Sequence, residues 1–151
     1  MSTVLIVEDH PAVVDGLRAG LAQVAGIMVQ AVASSLAEAR SVLSRSAGFD
    51  IAIVDVRLGD GSGFDLLTMM DPIRTATVIL SGCVSSAYLE AARRLGARGY
   101  LPKHAPMTRL VAAIREVAAG GDAWDRAVLQ HRRDHPWLPL TMRERDVVAE
   151  L

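Results

Sequence analysis

Short apolar runs alternate along the chain with longer segments whose apolar residues recur at every third or fourth position. The runs are rich in valine, isoleucine and leucine and are bounded by Gly, Asp, Ser or Pro, a pattern typical of buried strands. They cover residues 4–7, 28–33, 51–54, 77–80 and 99–101. The segments between and after them predict helices over residues 11–24, 36–46, 64–70, 86–95 and 108–119.

Capping signals support several of these helices. Pro11 suits the first turn of the first helix. Ser34 or Ser35 can cap the second, because a short hydroxyl side chain accepts a hydrogen bond from the helix N-terminus. Gly96 and Gly120 follow the fourth and fifth helices, and glycine readily adopts the left-handed conformation that ends many helices. Strands and helices in alternation predict an α/β protein whose parallel sheet is covered on both faces.

Polar side chains with related chemistry lie at the ends of four of the five predicted strands. In parallel α/β sheets, ligands bind outside the carboxyl ends of the strands, where the strand order reverses. The side chains expected at this edge are Glu8, Asp9, Asp55, Ser81, Tyr100 and Lys103. Each is unremarkable when taken alone, since strand ends are wet and serine favours turns. Their combination at one edge is what predicts a functional site.

These residue types favour phosphoryl chemistry. Clustered carboxylates repel one another unless a cation intervenes, and oxygen ligands suit Mg²⁺. A carboxylate such as that of Asp55 can attack phosphorus and form an aspartyl-phosphate. Lys103 and the metal would neutralise charge on the transferring group, and the hydroxyl of Ser81 can hydrogen-bond a phosphoryl oxygen.

Composition narrows the class of protein further. The chain has 151 residues, of which 51% are hydrophobic, enough for one domain with a normal core. The formal net charge of −1 gives no general attraction to nucleic acid or to anionic membranes. Cys83 is the only cysteine, which excludes an internal disulfide. Since no signal peptide is evident and no run reaches the roughly 20 apolar residues of a membrane span, we expect a cytoplasmic protein without a membrane partner.

Four segments resemble the marker segments of response-regulator receiver domains: IVEDHP, IAIVDVRLGDGSGFDLL, VILSG and ARGYLPK. The segments VEDHPAVVDGL and DVRLGDGSG are most similar to the NarL/FixJ subfamily. The resemblance implies a receiver domain over residues 1–120 with a flavodoxin-like (βα)5 doubly wound sheet of strand order 2-1-3-4-5. It implies a two-component regulator that accepts a phosphoryl group from a sensor histidine kinase. Such a protein is no enzyme beyond its own phosphorylation and dephosphorylation.

The resemblance also implies a metal site around the acceptor. Asp55 would be the phosphoacceptor. Asp9 would ligate Mg²⁺ directly and Glu8 mostly through water. Asp55 and the backbone carbonyl of Arg57 would complete the protein ligands.

A second implied group of residues contacts the phosphoryl group and transmits its presence. Lys103 and Ser81 would contact the phosphoryl group. Ser81 and Tyr100 would form a switch pair, in which the ring moves inward as the hydroxyl shifts toward the phosphate. The activated protein is expected to form a homodimer and to control a DNA-binding transcriptional output.

Three positions depart from the pattern of many receivers or invite another interpretation. Gly59 occupies a position where many have proline, which predicts a looser loop after the acceptor. Lys103 is followed by His104, where many have proline. His10 lies beside two acids and could be taken for a metal ligand, but the resemblance favours His10-Pro11 as an ordinary start of the first helix.

The last thirty residues predict a different organisation. QHRRDHPWLP combines basic residues with two prolines and indicates a linker over residues 121–140. In LTMRERDVVAEL, Thr141 and Glu144 have the spacing of a capping box. This phrase resembles the opening of a LuxR-type helix-turn-helix, implied over residues 141–151. That motif reads DNA with its second helix, so DNA binding is expected only through the missing part of the domain. A truncated chain and a naturally short protein both fit.

Two other functions fit parts of the pattern. A small phosphatase or phosphotransferase could also work through an aspartyl-phosphate, but many such enzymes carry an acid two residues after the nucleophile, where this chain has Arg57. A receiver used only as a phosphorylation-independent binding module usually lacks an acidic residue or the lysine, and here all are present.

Overall fold

The computed structural model describes residues 1–82 and 85–124. Its strands are β1 (Ser2–Val7), β2 (Ile27–Ala33), β3 (Ile51–Val54), β4 (Arg57–Leu58), β5 (Gly61–Ser62), β6 (Ala76–Ser81), β7 (Gly99–Pro102) and β8 (Ala123–Trp124). Its helices are α1 (Pro11–Ala22), α2 (Leu36–Arg45), α3 (Phe64–Leu67), α4 (Ser86–Arg94) and α5 (Met107–Ala118). Cys83, most of the predicted linker and the predicted helix-turn-helix lie outside the described residues.

Six strands form one parallel sheet in the order β2-β1-β3-β6-β7-β8. The first five have the doubly wound order predicted from the sequence, so the flavodoxin-like α/β class is confirmed. The strand β8 was not predicted. It lies within residues 121–140, which the sequence predicts to be a linker. A strand of two residues is too short to show the alternation of apolar and polar residues by which strands are predicted.

The core lies on both faces of this sheet. Along each strand, alternate residues belong to two separate clusters of buried side chains. Leu5, Val7 and Val54 face α2, α3 and α4, whereas Ile6 and Ile53 face α1 and α5. The strand β3, in the middle of the sheet, is therefore apolar at every position, as expected of a strand that is covered on both sides.

Side-chain caps fix the N-termini of two helices. Ser35, rather than Ser34, caps α2 by accepting a hydrogen bond from the Glu38 amide at 3.0 Å. Ser85 caps α4 in the same way. The α2 N-terminus has a second anchor, because the carboxylate of Asp60 accepts hydrogen bonds from the first two amides of the helix at 2.8 and 3.0 Å. The hydrogen bond from the Ala37 amide and, to a smaller extent, the one from the Leu36 amide hold the pKa of Asp60 below its usual value.

The loop after β3 is a short antiparallel hairpin of β4 and β5. Gly59 lies in its turn, yet Asp60 next to it is bonded to α2. The loop closes where the Gly63 amide donates to the Val56 carbonyl at 2.7 Å. These contacts therefore do not support the looser loop that was expected from Gly59.

No helix within residues 1–82 and 85–124 has both the length and the apolar character needed to cross a lipid bilayer.

Gly63→Ala should destabilise the fold much more than Gly59→Ala. A Cβ atom at Gly63 would overlap the backbone carbonyl oxygen of Asp55 and lie 2.7 Å from Val54 Cγ1, whereas a Cβ atom at Gly59 meets nothing within 4 Å. We expect a loss of about 2 kcal/mol or more for Gly63→Ala, since backbone must move to make room. Urea unfolding of both variants measures this, and equal midpoints would show that the loop does not pack as tightly as these distances indicate.

Candidate functional site

Three strand ends meet at the carboxyl edge of the sheet and position the principal charged residues. The backbone ladder continues one residue beyond each strand. The Glu8 amide donates to Ala33, the Asp55 amide to Val7 and the Lys103 amide to Ser81, at 3.0, 2.9 and 2.8 Å. These side chains are therefore held by the sheet itself, although their residues are separated in sequence by more than 40 positions.

Two buried carboxylates share one ammonium group at this edge. Lys103 Nζ lies 2.9 Å from Asp55 Oδ2 and 3.1 Å from a carboxylate oxygen of Glu8. Asp55 and Glu8 are only 3% and 2% exposed, while the Lys103 side chain is 21% exposed. Negative charge therefore exceeds positive charge in a place that water hardly reaches.

The pKa shifts indicate where the excess charge is felt. Burial, together with the charge of Glu8, raises the pKa of Asp55 even though Lys103 acts in the opposite direction. Burial also acts to raise the pKa of Glu8, but hydrogen bonds from His10 and Lys103 outweigh it and leave that pKa lowered. For Lys103, burial acts to lower the pKa, but hydrogen bonds to both carboxylates raise it overall. Asp55 is thus the carboxylate whose ionised form is least compensated.

Asp9 contributes a buried oxygen that accepts no hydrogen bond from the described residues. This atom is Oδ1, and His10 Nδ1 lies 3.0 Å away. Glu8, Asp9, His10 and Asp55 each offer a ligand atom within 4.8 Å of the others. We call these four residues the ligand cluster. Its carboxylate oxygens, one of which accepts no hydrogen bond from the described residues, fit a hard divalent cation such as Mg²⁺.

His10 is closer to the acids than the sequence interpretation implied. It does precede α1 as expected, in the N-cap position. Its ring, however, lies with Nδ1 2.6 Å from Glu8 Oε1 and 3.3 Å from Lys103 Nζ. The signal for this contact in the sequence is the position of His10 directly after Glu8-Asp9.

The other predicted site residues are Ser81, Tyr100 and Arg57. Ser81 ends β6 and Tyr100 lies in β7, and both are fully or almost fully buried. The Arg57 amide is 3.4 Å from Asp55 Oδ1, and its guanidinium donates to the Tyr88 hydroxyl of α4 at 3.5 Å. A role of the Arg57 carbonyl as a metal ligand remains a prediction.

A doubly wound parallel sheet with carboxylates and a lysine at its carboxyl edge defines a flavodoxin-like α/β protein whose candidate site lies where ligands bind in such sheets. Residues 4–115 match the response regulator receiver domain. The chain belongs to the response regulator receiver family, and it is homologous to two-component response regulators that control transcription.

Named relatives and a solved structure agree with this assignment. The transcriptional regulatory protein UhpA of Salmonella typhimurium is 34% identical over 154 residues, which cover 100% of this chain and 76% of UhpA. The nitrate/nitrite response regulator protein NarP of Escherichia coli is 32% identical over 98% of this chain and 73% of NarP. A LuxR-family response regulator from Aurantimonas sp. SI85-9A1 superposes with a TM-score of 0.82 at 25% identity, over 90% of this chain and 98% of that one.

In the absence of divalent metal, Asp55→Asn should raise the melting temperature at neutral pH. The substitution removes the least compensated buried charge, and Lys103 keeps Glu8 as its partner. We expect a rise of roughly 3 °C or more in EDTA. Asp15→Asn, the same substitution on the exposed face of α1, is the matched control and should change little.

This stabilisation should also depend on pH with a definite sign. Because the pKa of Asp55 is raised by folding, its destabilising effect is absent below the ordinary aspartate pKa and grows as the pH rises through the raised value. The difference between the variant and the wild type should therefore shrink as the pH is lowered. A difference that is constant from acidic to neutral pH would contradict the burial argument.

Proposed function

We propose that Asp55 accepts a phosphoryl group and that this domain thereby switches a transcriptional regulator. The observation that carries the proposal is the contact of Lys103 Nζ with the buried Asp55 carboxylate at 2.9 Å. Beside it lies the Asp9 oxygen that accepts no hydrogen bond from the described residues. A buried nucleophile next to a fixed cation suits a transfer in which negative charge accumulates on the phosphoryl oxygens.

In the ligand cluster, Asp9 and Asp55 would hold Mg²⁺ directly and Glu8 by way of water. The backbone carbonyl of Arg57, outside the cluster, would be a further ligand. The bound metal would supply positive charge for the phosphoryl oxygens and lessen the repulsion among the acids. His10 Nδ1 and Lys103 Nζ already lie against Glu8, which supports a less direct role for that carboxylate.

The transfer itself requires little from the protein besides position. A carboxylate oxygen of Asp55 attacks phosphorus, and the phosphorus–nitrogen bond of a phosphohistidine donor breaks, leaving its electron pair on the imidazole. The product is an acyl phosphate on Asp55. Lys103 remains beside the new group, and the hydroxyl of Ser81 donates to one of its oxygens.

Output follows from the same hydroxyl. A phosphoryl group adds roughly −1.5 to −2 charge at neutral pH and can bias a two-state element only through contacts that differ between the states. Ser81 and Tyr100 are the residues proposed to make such contacts, with Tyr100 held inward when Ser81 engages the phosphate. The surface formed by α4, β7 and α5 would change accordingly.

The proposed partners are those of a receiver. A sensor histidine kinase would supply the phosphoryl group, and a second copy of the chain would bind on activation. Transcriptional control would act through a DNA-binding domain that begins after the linker. UhpA is named a transcriptional regulatory protein and NarP a nitrate/nitrite response regulator protein, which supports a role in transcriptional control.

Incubation with acetyl phosphate and Mg²⁺ should add the mass of one phosphoryl group to the intact chain. Asp55→Asn should abolish the addition, because the amide is not a nucleophile toward phosphorus. EDTA should block it, and Asp9→Ala should weaken both labelling and Mg²⁺ binding. Asp15→Asn should label like the wild type. Full labelling in EDTA, or labelling of Asp55→Asn at another residue, would overturn the assignment.

Beryllofluoride with Mg²⁺ should change the self-association of the chain. We expect a concentration-dependent shift toward a dimer in sedimentation velocity with the wild type and no shift with Asp55→Asn. Identical sedimentation of the wild type with and without beryllofluoride would reject dimerisation as the output. Tight sequence-specific DNA binding by these 151 residues would contradict the interpretation of the C-terminal segment.

A further inference from the structure

The strand β8 docks a segment that follows α5 onto the edge of the sheet. Gly99 pairs with Ala123 and Tyr100 with Trp124, in parallel. The Ala123 amide donates to the Arg98 carbonyl at 2.8 Å. Gly99 permits this approach, because a Cβ atom there would lie 2.7 Å from the Ala123 carbonyl oxygen.

The side chain of Arg98 fastens the turn that leads into β8. Its Nε atom is 2.7 Å from the Asp122 carboxylate, and its Nη2 atom donates to the carbonyl oxygens of Gly120 and Gly121. Planar guanidinium groups satisfy several acceptors at once without further loss of freedom. The two residues of β8 are therefore held by more than their own ladder bonds.

Docking brings Trp124 against the proposed switch residue. The rings of Tyr100 and Trp124 are nearly parallel, at 16°, with centroids 6.5 Å apart. The guanidinium of Arg93, near the end of α4, lies 5.4 Å from the centre of the Trp124 ring. Tyr100 and the buried residues of α4 belong to one core cluster, and Trp124 packs against it.

This arrangement places Trp124 beside the path that the Tyr100 ring would take on leaving its buried position. The ring is fully buried between β7 and α4. The strand β6 lies on one side of Tyr100, so an outward rotation of the ring must pass the opposite side of β7, where β8 pairs. Trp124 lies at that edge, on the same face as Tyr100, because residues paired in register point to the same side.

We propose that Trp124 is a positioning residue that holds Tyr100 in its inward position and so favours the phosphorylated state. The proposal rests on the function assigned above to Asp55, Ser81 and Tyr100. Coupling between two sites is reciprocal. A phosphoryl group that fixes Tyr100 inward therefore strengthens the docking of β8, and the start of the C-terminal segment is held more firmly when Asp55 is modified.

The affinity for beryllofluoride in the presence of saturating Mg²⁺ tests the first half of the coupling. Trp124→Ala should weaken it about 3- to 10-fold, the range expected from the loss of one aromatic pair. Trp124→Phe keeps an aromatic ring beside Tyr100 and should bind within about twofold of the wild type. Both variants should bind Mg²⁺ alone like the wild type, since the ligand cluster is formed by other residues.

The outcomes separate this proposal from the one it rests on. If Trp124→Ala binds beryllofluoride as tightly as the wild type, the positioning role is wrong and the function of Asp55 stands. If Trp124→Ala loses Mg²⁺ and beryllofluoride affinity together, Trp124 merely supports the fold and the proposal is again overturned. If the wild type itself fails to bind beryllofluoride, the proposed function falls, and the positioning role falls with it.

Hydrogen exchange at the Ala123 amide tests the reciprocal half. This amide bonds to Arg98 only while β8 is docked. Beryllofluoride should slow its exchange in the wild type and leave it unchanged in Asp55→Asn and in Tyr100→Ala. Slowing of the same size in Tyr100→Ala would show that the signal reaches β8 without the Tyr100 ring, which would overturn the proposal.

Discussion

The site depends on a shortage of positive charge at the carboxyl edge of the sheet. Two almost fully buried carboxylates, Glu8 and Asp55, share the single ammonium of Lys103, and Asp9 adds a buried oxygen that accepts no hydrogen bond from the described residues. An isolated ion in such a place is costly, so the arrangement favours any ligand that brings positive charge. Hydrogen bonds satisfy Glu8 better than Asp55, which leaves the proposed acceptor as the carboxylate with the most to gain from a cation or from chemical modification.

The fold supplies the rigidity that such a site needs. The sheet is covered on both faces, and backbone hydrogen bonds tie Glu8, Asp55 and Lys103 to the neighbouring strands. The loop after Asp55 is fixed at two further points, by Gly63 packing under the chain and by Asp60 bonding to α2. Side chains held in this way are already ordered before a ligand binds, so binding loses no further entropy in ordering them.

Much of this could be predicted from the sequence. Four of the five longer strands could be predicted because apolar runs of four or more residues bounded by turn formers are typical of buried strands, and the fifth followed from a shorter run, residues 99–101. The alternation of these runs with helices indicated the α/β class. The meeting of Glu8, Asp55 and Lys103 followed from the rule that parallel strands end at one edge. The hairpin and β8 could not be predicted, because strands of two residues have no period. The bonds of Asp60 to α2 and of His10 to Glu8 depend on side-chain directions that spacing alone does not determine.

The sixth strand bears on where this receiver ends. By sequence pattern the domain stops at Gly120, just after α5, yet within the described residues the sheet extends to Trp124. A protein trimmed at the apparent boundary would keep every residue of the ligand cluster and lose the aromatic wall beside Tyr100. In such a protein β7, which carries Tyr100, would be an uncovered edge strand of the sheet. Domain limits drawn from helix content alone can therefore leave out a strand that packs against the proposed switch residue.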